Sequence, residues 1–188
     1  MMKNDDKGRL RKLALSNRDS LSAEYRSNAG TEIASKLLRH PAVKQAATIM
    51  CYMSFRSEVP TGEIVEKLRD EGKKLCFPLC EKVGIMHAYH PVDENSWKSG
   101  MMGIMEPDPE KSELVSPENI ELVICPMVAF DGQKRRMGYG GGYYDRYLPG
   151  CTGALRVGIA FEAQRFEALP VDENDMPMNL IITEKDCY

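Results

Sequence analysis

Four glycines crowd into five positions of the chain, Gly138, Gly140, Gly141 and Gly142, with Tyr139 between the first two. Glycine admits positive backbone torsions and lets main-chain N–H groups come close to a ligand. Successive N–H groups in such a turn form a nest for an anion, and a helix beginning near Tyr143 would aim the positive end of its dipole at the same point. Lys134, Arg135 and Arg136 stand just before this stretch, and Asp145 and Arg146 just after it. With Asp131 included, the segment is locally basic inside a chain of formal net charge −3. This is a phosphate-binding composition.

Acids elsewhere decide whether a metal accompanies the phosphate. Magnesium takes one or two carboxylates together with water and phosphate oxygens. Asp145, and one of the cluster Asp172, Glu173 and Asp175, could supply them from two distant segments. The competing readings are a helix first-turn acid for Asp145 and solvated loop charge for the others. The named phosphate motifs do not fit. No Gly-Lys-Ser/Thr of a Walker A loop occurs, and the glycines depart from the dinucleotide fingerprint. His87 and His90 fall on opposite faces of a strand, which suits packing better than a metal. The Met101, Met102 and Met105 run reads as adaptable packing, and Trp97 as a cap on a planar ligand or on a core edge.

The elements that must position these groups are legible as a βαβ series. A first helix over 5–17 carries Leu10, Leu13 and Ala14 on one side and Lys7, Arg11 and Arg18 on another. A second follows Ser22 as N-cap, with Tyr25, Ala29, Ile33, Leu37 and Leu38 as its stripe, and stops at Pro41. The pair reads as one amphipathic hairpin over residues 1–40, packed on an α/β core. Strands are expected at 48–53, 75–77, 85–90, 122–125, 155–161 and 180–183, with a helix over 61–71 closed by Gly72. Residues 91–118 are proline-rich and aperiodic and read as a long surface connection. The expected fold is a single α/β domain over 1–188: a three-layer α/β/α sandwich around a mostly parallel, mixed sheet. It is Rossmann-like, with its ligand site beyond the C-terminal ends of the strands.

Twenty-five Lys and Arg against twenty-eight Asp and Glu argue against a surface that tracks nucleic acid. With no run of apolar residues of spanning length and a charged N-terminal stretch, neither a membrane span nor a secretory signal is expected, and six cysteines without zinc spacing read as reduced thiols in a cytoplasmic protein. A monomer is expected because no long exposed apolar stripe remains.

Four separated blocks make the chain similar to the 5-formyltetrahydrofolate cyclo-ligase family, also called methenyltetrahydrofolate synthetase. They are Lys7 with Arg11, Glu58 to Thr61, Phe130 to Asp145, and Asn174 with Asp175. Within the third, Phe130, Asp131, Arg136, Gly138, Gly140, Gly142, Tyr143, Tyr144, Asp145 and Leu148 match the family signature FDxxGxRLGxGxGYYDxxL. Lys134 replaces a signature glycine and Met137 a leucine. The resemblance implies ATP- and magnesium-dependent cyclisation of 5-formyltetrahydrofolate, with reduced folate and ATP as small-molecule partners. It implies ATP contacts at Lys7, Arg11, Arg136, Met137, Gly138, Tyr139, Gly140, Gly141, Gly142, Tyr143 and Tyr144. It further implies Mg2+ at Asp145 and Asp175, folate at Met53, Glu58 and the loop from Tyr139 to Tyr143, and catalytic roles for Arg136 and Tyr143. The rival expectations are a binding protein of the same fold without turnover, and an RNA-associated protein that uses the Arg, Tyr and Gly cluster for stacking.

Overall fold

The computed structural model describes residues 4–82, 84–100, 103–170 and 172–188, so Met101 and Met102 of the methionine run lie outside the described residues. In chain order the elements are α1 (Asn4–Asp19), α2 (Ala23–Arg39), α3 (Pro41–Gln45), β1 (Thr48–Cys51), α4 (Gly62–Asp70), β2 (Lys74–Lys82) and β3 (Ile85–Pro91). Then come β4 (Trp97–Ser99), β5 (Met105–Pro107), β6 (Ser112–Val115), β7 (Leu122–Cys125), β8 (Ala129–Asp131) and β9 (Arg136–Met137). The last are α5 (Tyr143–Tyr147), β10 (Leu155–Ile159), β11 (Arg165–Phe166) and β12 (Leu180–Ile182).

Ser22 caps α2 by accepting a hydrogen bond from the Tyr25 amide at 3.1 Å. The helix then buries Ala29, Ile33, Ala34 and Leu37 at helical spacing. Pro41 cannot continue it and instead opens α3. Ile49, Met50 and Cys51 are all buried, as is every residue of β7, which is the mark of strands covered on both faces.

Seven strands form one sheet in the order β12-β10-β7-β1-β2-β3-β6. The five from β12 to β2 are parallel, and β3 and β6 add antiparallel strands at one edge. Side chains alternate across the sheet. Ile49, Cys51, Leu122, Ile124, Val157 and Ile159 pack under α2 and α4. Met50, Cys76, Val123, Cys125 and Ile181 pack on the other face against Tyr147, Leu148 and Met178. The chain leaves β1 toward β2 on one side and leaves β7 toward β10 on the other. The reversal between β1 and β7 is the switch point beyond which ligands bind in open α/β sheets. Among the described residues, no helix is long and apolar enough to cross a membrane.

Two expectations are corrected. The 91–118 connection holds β4, β5 and β6: β4 and β5 form a small ladder, and β6 pairs with β3 to extend the main sheet. The two N-terminal helices do not close into one hairpin either. α2 packs on α3 and α4, whereas α1 lies on the turn at Glu162–Gln164 and on Val128, Ala129, Met137 and Leu169. The face of α1 that turns inward carries Ala14 and Arg18, both buried, while Leu13 is 53% exposed.

Candidate active site

β8 and β9 form a tight hairpin just beyond the end of β7, and the glycine-rich stretch leaves from its second strand. Asp131 ties the hairpin. Its buried carboxylate accepts the amides of Gln133 at 2.9 Å, Arg135 at 3.2 Å and Leu169 at 2.9 Å, and pairs with Arg135 Nε at 2.6 Å. Buried carboxylates need this degree of satisfaction. Lys134 sits in the turn with φ +63°, the left-handed region that glycine occupies without strain. Its amide donates to Asp131 O, and Nζ reaches Asn179 O at 3.0 Å.

From this hairpin Arg136 projects inward, 9% exposed. Its Nη2 pairs with Asp145 Oδ1 at 2.7 Å, its guanidinium carbon lies 5.6 Å from the Tyr144 ring centroid, and Nε is buried with no partner. An unpartnered buried guanidinium N–H beside a single acid is a strong anion donor. The loop that follows is held from behind through its carbonyls: Arg11 Nε donates to Gly138 O at 2.9 Å, and Arg146 Nη1 to Gly141 O at 2.8 Å. Gly140 and Gly142 take φ +104° and +66°, and a Cβ on Gly141 would meet the Tyr143 ring at 2.6 Å. Among the described residues, the amides of Gly140, Gly141, Gly142 and Tyr143 donate to no protein acceptor, an arrangement that can receive an anion. α5 spans only five residues, so these amides and Arg136 carry the electrostatics, not the helix dipole expected from the sequence.

Lys7 and Asp175, assigned to phosphate and metal, meet directly. Lys7 Nζ lies 2.6 Å from Asp172 Oδ2 and 3.0 Å from Asp175 Oδ2. The Met176 amide reaches Asp145 Oδ1 at 3.4 Å, which brings the two predicted metal acids onto adjoining segments. Among the described residues, hydrogen bonds to Asp145 fall on Oδ1 and those to Asp175 on Oδ2, so each keeps its other oxygen for a cation. No group of three His, Cys, Asp or Glu forms a cage among those residues. Two carboxylates completed by phosphate oxygens is a donor set that fits magnesium.

On the other side of the loop stands the segment after β1. Ser54 and Thr61 exchange hydrogen bonds across it, at 3.1 and 3.3 Å, and Tyr52 OH donates to Val59 O at 3.2 Å, closing a compact loop that presents Glu58. Glu58 Oε2 accepts the Phe55 amide at 2.9 Å. Burial pushes the Glu58 carboxyl above the usual range, while the Phe55 amide, Arg18 and Tyr139 oppose that rise. Met53 is half-buried at the start of the loop, against the main core. Trp97 packs edge-on against Phe77, with centroids 4.9 Å apart, and so seals a core edge.

A protein-family model described as the 5-formyltetrahydrofolate cyclo-ligase family matches residues 3–184. The chain belongs to that family. The 5-formyltetrahydrofolate cyclo-ligase of Escherichia coli K12 is 30% identical to this cyclo-ligase over 172 residues, covering 88% of this chain and 93% of its own. The mouse 5-formyltetrahydrofolate cyclo-ligase is 27% identical over 179 residues, with 88% and 87% covered. The structure of 5,10-methenyltetrahydrofolate synthetase from Aquifex aeolicus matches with a TM-score of 0.85 at 34% identity, over 96% of this chain and 91% of that one. The corresponding Mycoplasma pneumoniae structure gives 0.78 at 26% identity, over 95% and 99%.

In this cyclo-ligase the structure gathers Lys7, Arg11, Arg136, the glycine-rich loop, Tyr143, Asp145 and Asp175 around one end of the sheet. Glu58 and Tyr139 meet beside them. Met137 differs from the rest: its side chain is buried against Ala14 and Leu169, so it supports the loop through the core. Tyr144 also faces inward, with a hydroxyl that is buried and unpartnered. Sequence reading missed Arg18, which bonds Ser57 and Tyr139. Its spacing from Lys7 and Arg11 was the available signal.

Proposed function

We propose that this cyclo-ligase uses ATP to close 5-formyltetrahydrofolate to 5,10-methenyltetrahydrofolate, releasing ADP and phosphate. A formamide carbon is a poor electrophile, and its oxygen a poor leaving group. Attack of the formyl oxygen on the γ-phosphorus breaks the bond to ADP and makes an imidate-like phosphate. The second folate nitrogen then attacks the formyl carbon, a C–N bond forms, phosphate departs with the oxygen, and the nitrogen loses its proton. The ring closure is intramolecular, so positioning and charge stabilisation suffice and no nucleophilic side chain is needed.

Arg136, its buried Nε and the loop amides from Gly140 to Tyr143 receive the transferring phosphoryl group. Lys7 and Arg11 hold the rest of the triphosphate. Asp145 and Asp175 would hold magnesium, which neutralises phosphate charge when bound. Glu58, with Met53 and Tyr139, receives the donor edge of the pterin, and Tyr143 stands where the two substrates meet. We infer that the active species is a cytoplasmic monomer. The observation that carries it is Arg136: a buried arginine with one N–H unpartnered, paired with Asp145 at the mouth of a glycine loop whose amides are unengaged. The test is spectrophotometric. Authentic 5-formyltetrahydrofolate should yield the longer-wavelength absorbance of the conjugated methenyl cation only with ATP and magnesium both present. No absorbance change under those conditions, with folate still bound, would leave a binding protein instead.

A further inference from the structure

α1 carries Lys7, Arg11, Ala14 and Arg18 at spacings of four, three and four, so all four share one face of the helix. That stripe runs about 16 Å. It passes from the Asp172 and Asp175 turn, across the carbonyl of Gly138, to the loop after β1. Arg18 ends it. At 2% exposed it is one of the bulkiest fully buried side chains in the molecule. Its Nε donates to Ser57 Oγ at 2.9 Å, and Ser57 Oγ donates in turn to Asp19 Oδ1. Its Nη2 donates to Tyr139 OH at 2.8 Å, with the guanidinium 5.7 Å from that ring's centroid, and Nη1 is buried without a partner.

Among the described residues no carboxylate forms a direct ion pair with Arg18. Burying a guanidinium on neutral hydroxyls is costly, and a residue serving packing alone would be apolar. The charge is spent on its neighbours. Tyr139, itself 52% exposed, accepts a hydrogen bond from Arg18, and the half-buried Glu58 lies close enough to feel both the Arg18 charge and the Tyr139 phenol.

We propose that Arg18 is a positioning residue of the folate subsite, fixing the Tyr139 phenol and the Glu58 carboxylate as one recognition edge for the reduced pterin. The inference rests on the proposed function and adds to it a residue that need not touch substrate. The groups facing Glu58 are the Phe55 amide, Arg18 from α1, Tyr139 from the glycine loop and Tyr52 just after β1, while Ser57 ties Arg18 to Asp19. Burial raises the Glu58 carboxyl and the Arg18 charge restrains the rise. Folate affinity therefore falls as pH drops through the Glu58 titration, and removing Arg18 moves that fall to higher pH.

The experiment measures steady-state kinetics for wild type, Arg18→Met, Arg18→Lys and Glu58→Gln across pH, with thermal midpoints alongside. Arg18→Met should raise the folate KM about tenfold or more. Its ATP KM should change little, and the acid limb of its folate affinity should shift upward. Arg18→Lys should restore the limb but only part of the affinity, and Glu58→Gln should abolish the limb. If Arg18→Met fails to fold, Tyr139→Phe removes the acceptor of Nη2 at an exposed position and should still weaken folate binding by more than it weakens ATP binding. An unmoved limb with wild-type folate KM, or an equal loss of folate and ATP affinity that tracks stability, overturns the inference. Wild type that never forms the methenyl product overturns the reading beneath it.

Discussion

Arg136 Nη2 lies 2.7 Å from Asp145 Oδ1, so the arginine proposed to bind phosphate is held by the acid proposed to bind the metal. Lys7 and Asp175 repeat the arrangement at 3.0 Å. On the proposed function, a triphosphate would compete with each carboxylate for its base, and a cation would compete with each base for its carboxylate. Replacing Arg136 with Ala should lower turnover about 100- to 1000-fold, the usual effect of losing one preorganised donor to developing charge. Unchanged turnover in the methenyl absorbance assay would remove the phosphate assignment.

Metal and nucleotide should bind synergistically. Calorimetry should detect little heat for magnesium alone and clear tightening of ATP binding when magnesium is added. Asp175→Asn should raise the magnesium concentration needed for ATP binding, whereas Lys7→Met should weaken ATP binding at saturating magnesium. Equal magnesium requirements for wild type and Asp175→Asn would remove Asp175 from the metal site.

The Lys7 cluster also predicts a pH dependence of stability. Burial alone would lower the Lys7 ammonium, but hydrogen bonds to Asp172 and Asp175, and their charges, raise it above its ordinary 10.5. A group whose folded pKa is raised stabilises the fold below the unfolded pKa, and this is lost as pH rises through the folded one. Wild type should exceed Lys7→Met by about 1 kcal/mol or less near neutrality, since Asp172 is largely exposed. The gap in urea midpoints should close only as pH rises through the raised folded pKa, beyond the ordinary 10.5. A gap that persists there would mean that Lys7 stabilises through packing.

Lys134 carries a local strain that the family glycine would relieve. Lys134→Gly should stabilise the fold by about 0.5–1 kcal/mol, since the left-handed penalty exceeds the added chain entropy of glycine. Lys134→Val should destabilise it, because a β-branched residue tolerates φ +63° poorly. Calorimetric midpoints check both, and a lower midpoint for the glycine variant would show that the contact with Asn179 O outweighs the strain.

Thiol reactivity should separate the six cysteines. Burial pushes Cys76 and Cys125 up to about 12 and Cys151 to about 11, and raises Cys51 further. Cys187 is exposed and Cys80 half-buried. A disulfide reagent near neutral pH should modify Cys187 first and Cys80 more slowly, with the other four reacting only on unfolding.

The parallel core was legible because β1 and β7 are apolar runs of ordinary strand length, and α2 has both a cap and a stripe. The glycine loop was legible because few ligands other than an anion call for that density of glycine beside basic residues. The strands inside 91–118 were not, since β4, β5 and β6 have three or four residues each, with mixed polar faces. They exist through pairing with one another and with β3, which no local pattern reports. Arg18 was hidden by a sound rule applied to the wrong environment. On a surface helix the basic stripe faces solvent. Here α1 covers a charged site, so the same stripe turns inward and Leu13 is left outside.

The two arginines that grip the glycine loop by its carbonyls have a consequence for the entropy of binding. Ordering about five residues would cost roughly 5–10 kcal/mol of chain entropy. Arg11 and Arg146 fix Gly138 and Gly141 within the fold itself, so ligand capture need not freeze that segment. Nucleotide association should then show a small entropic penalty and a rapid on-rate, and cutting either grip should turn a rigid-body encounter into coupled loop ordering.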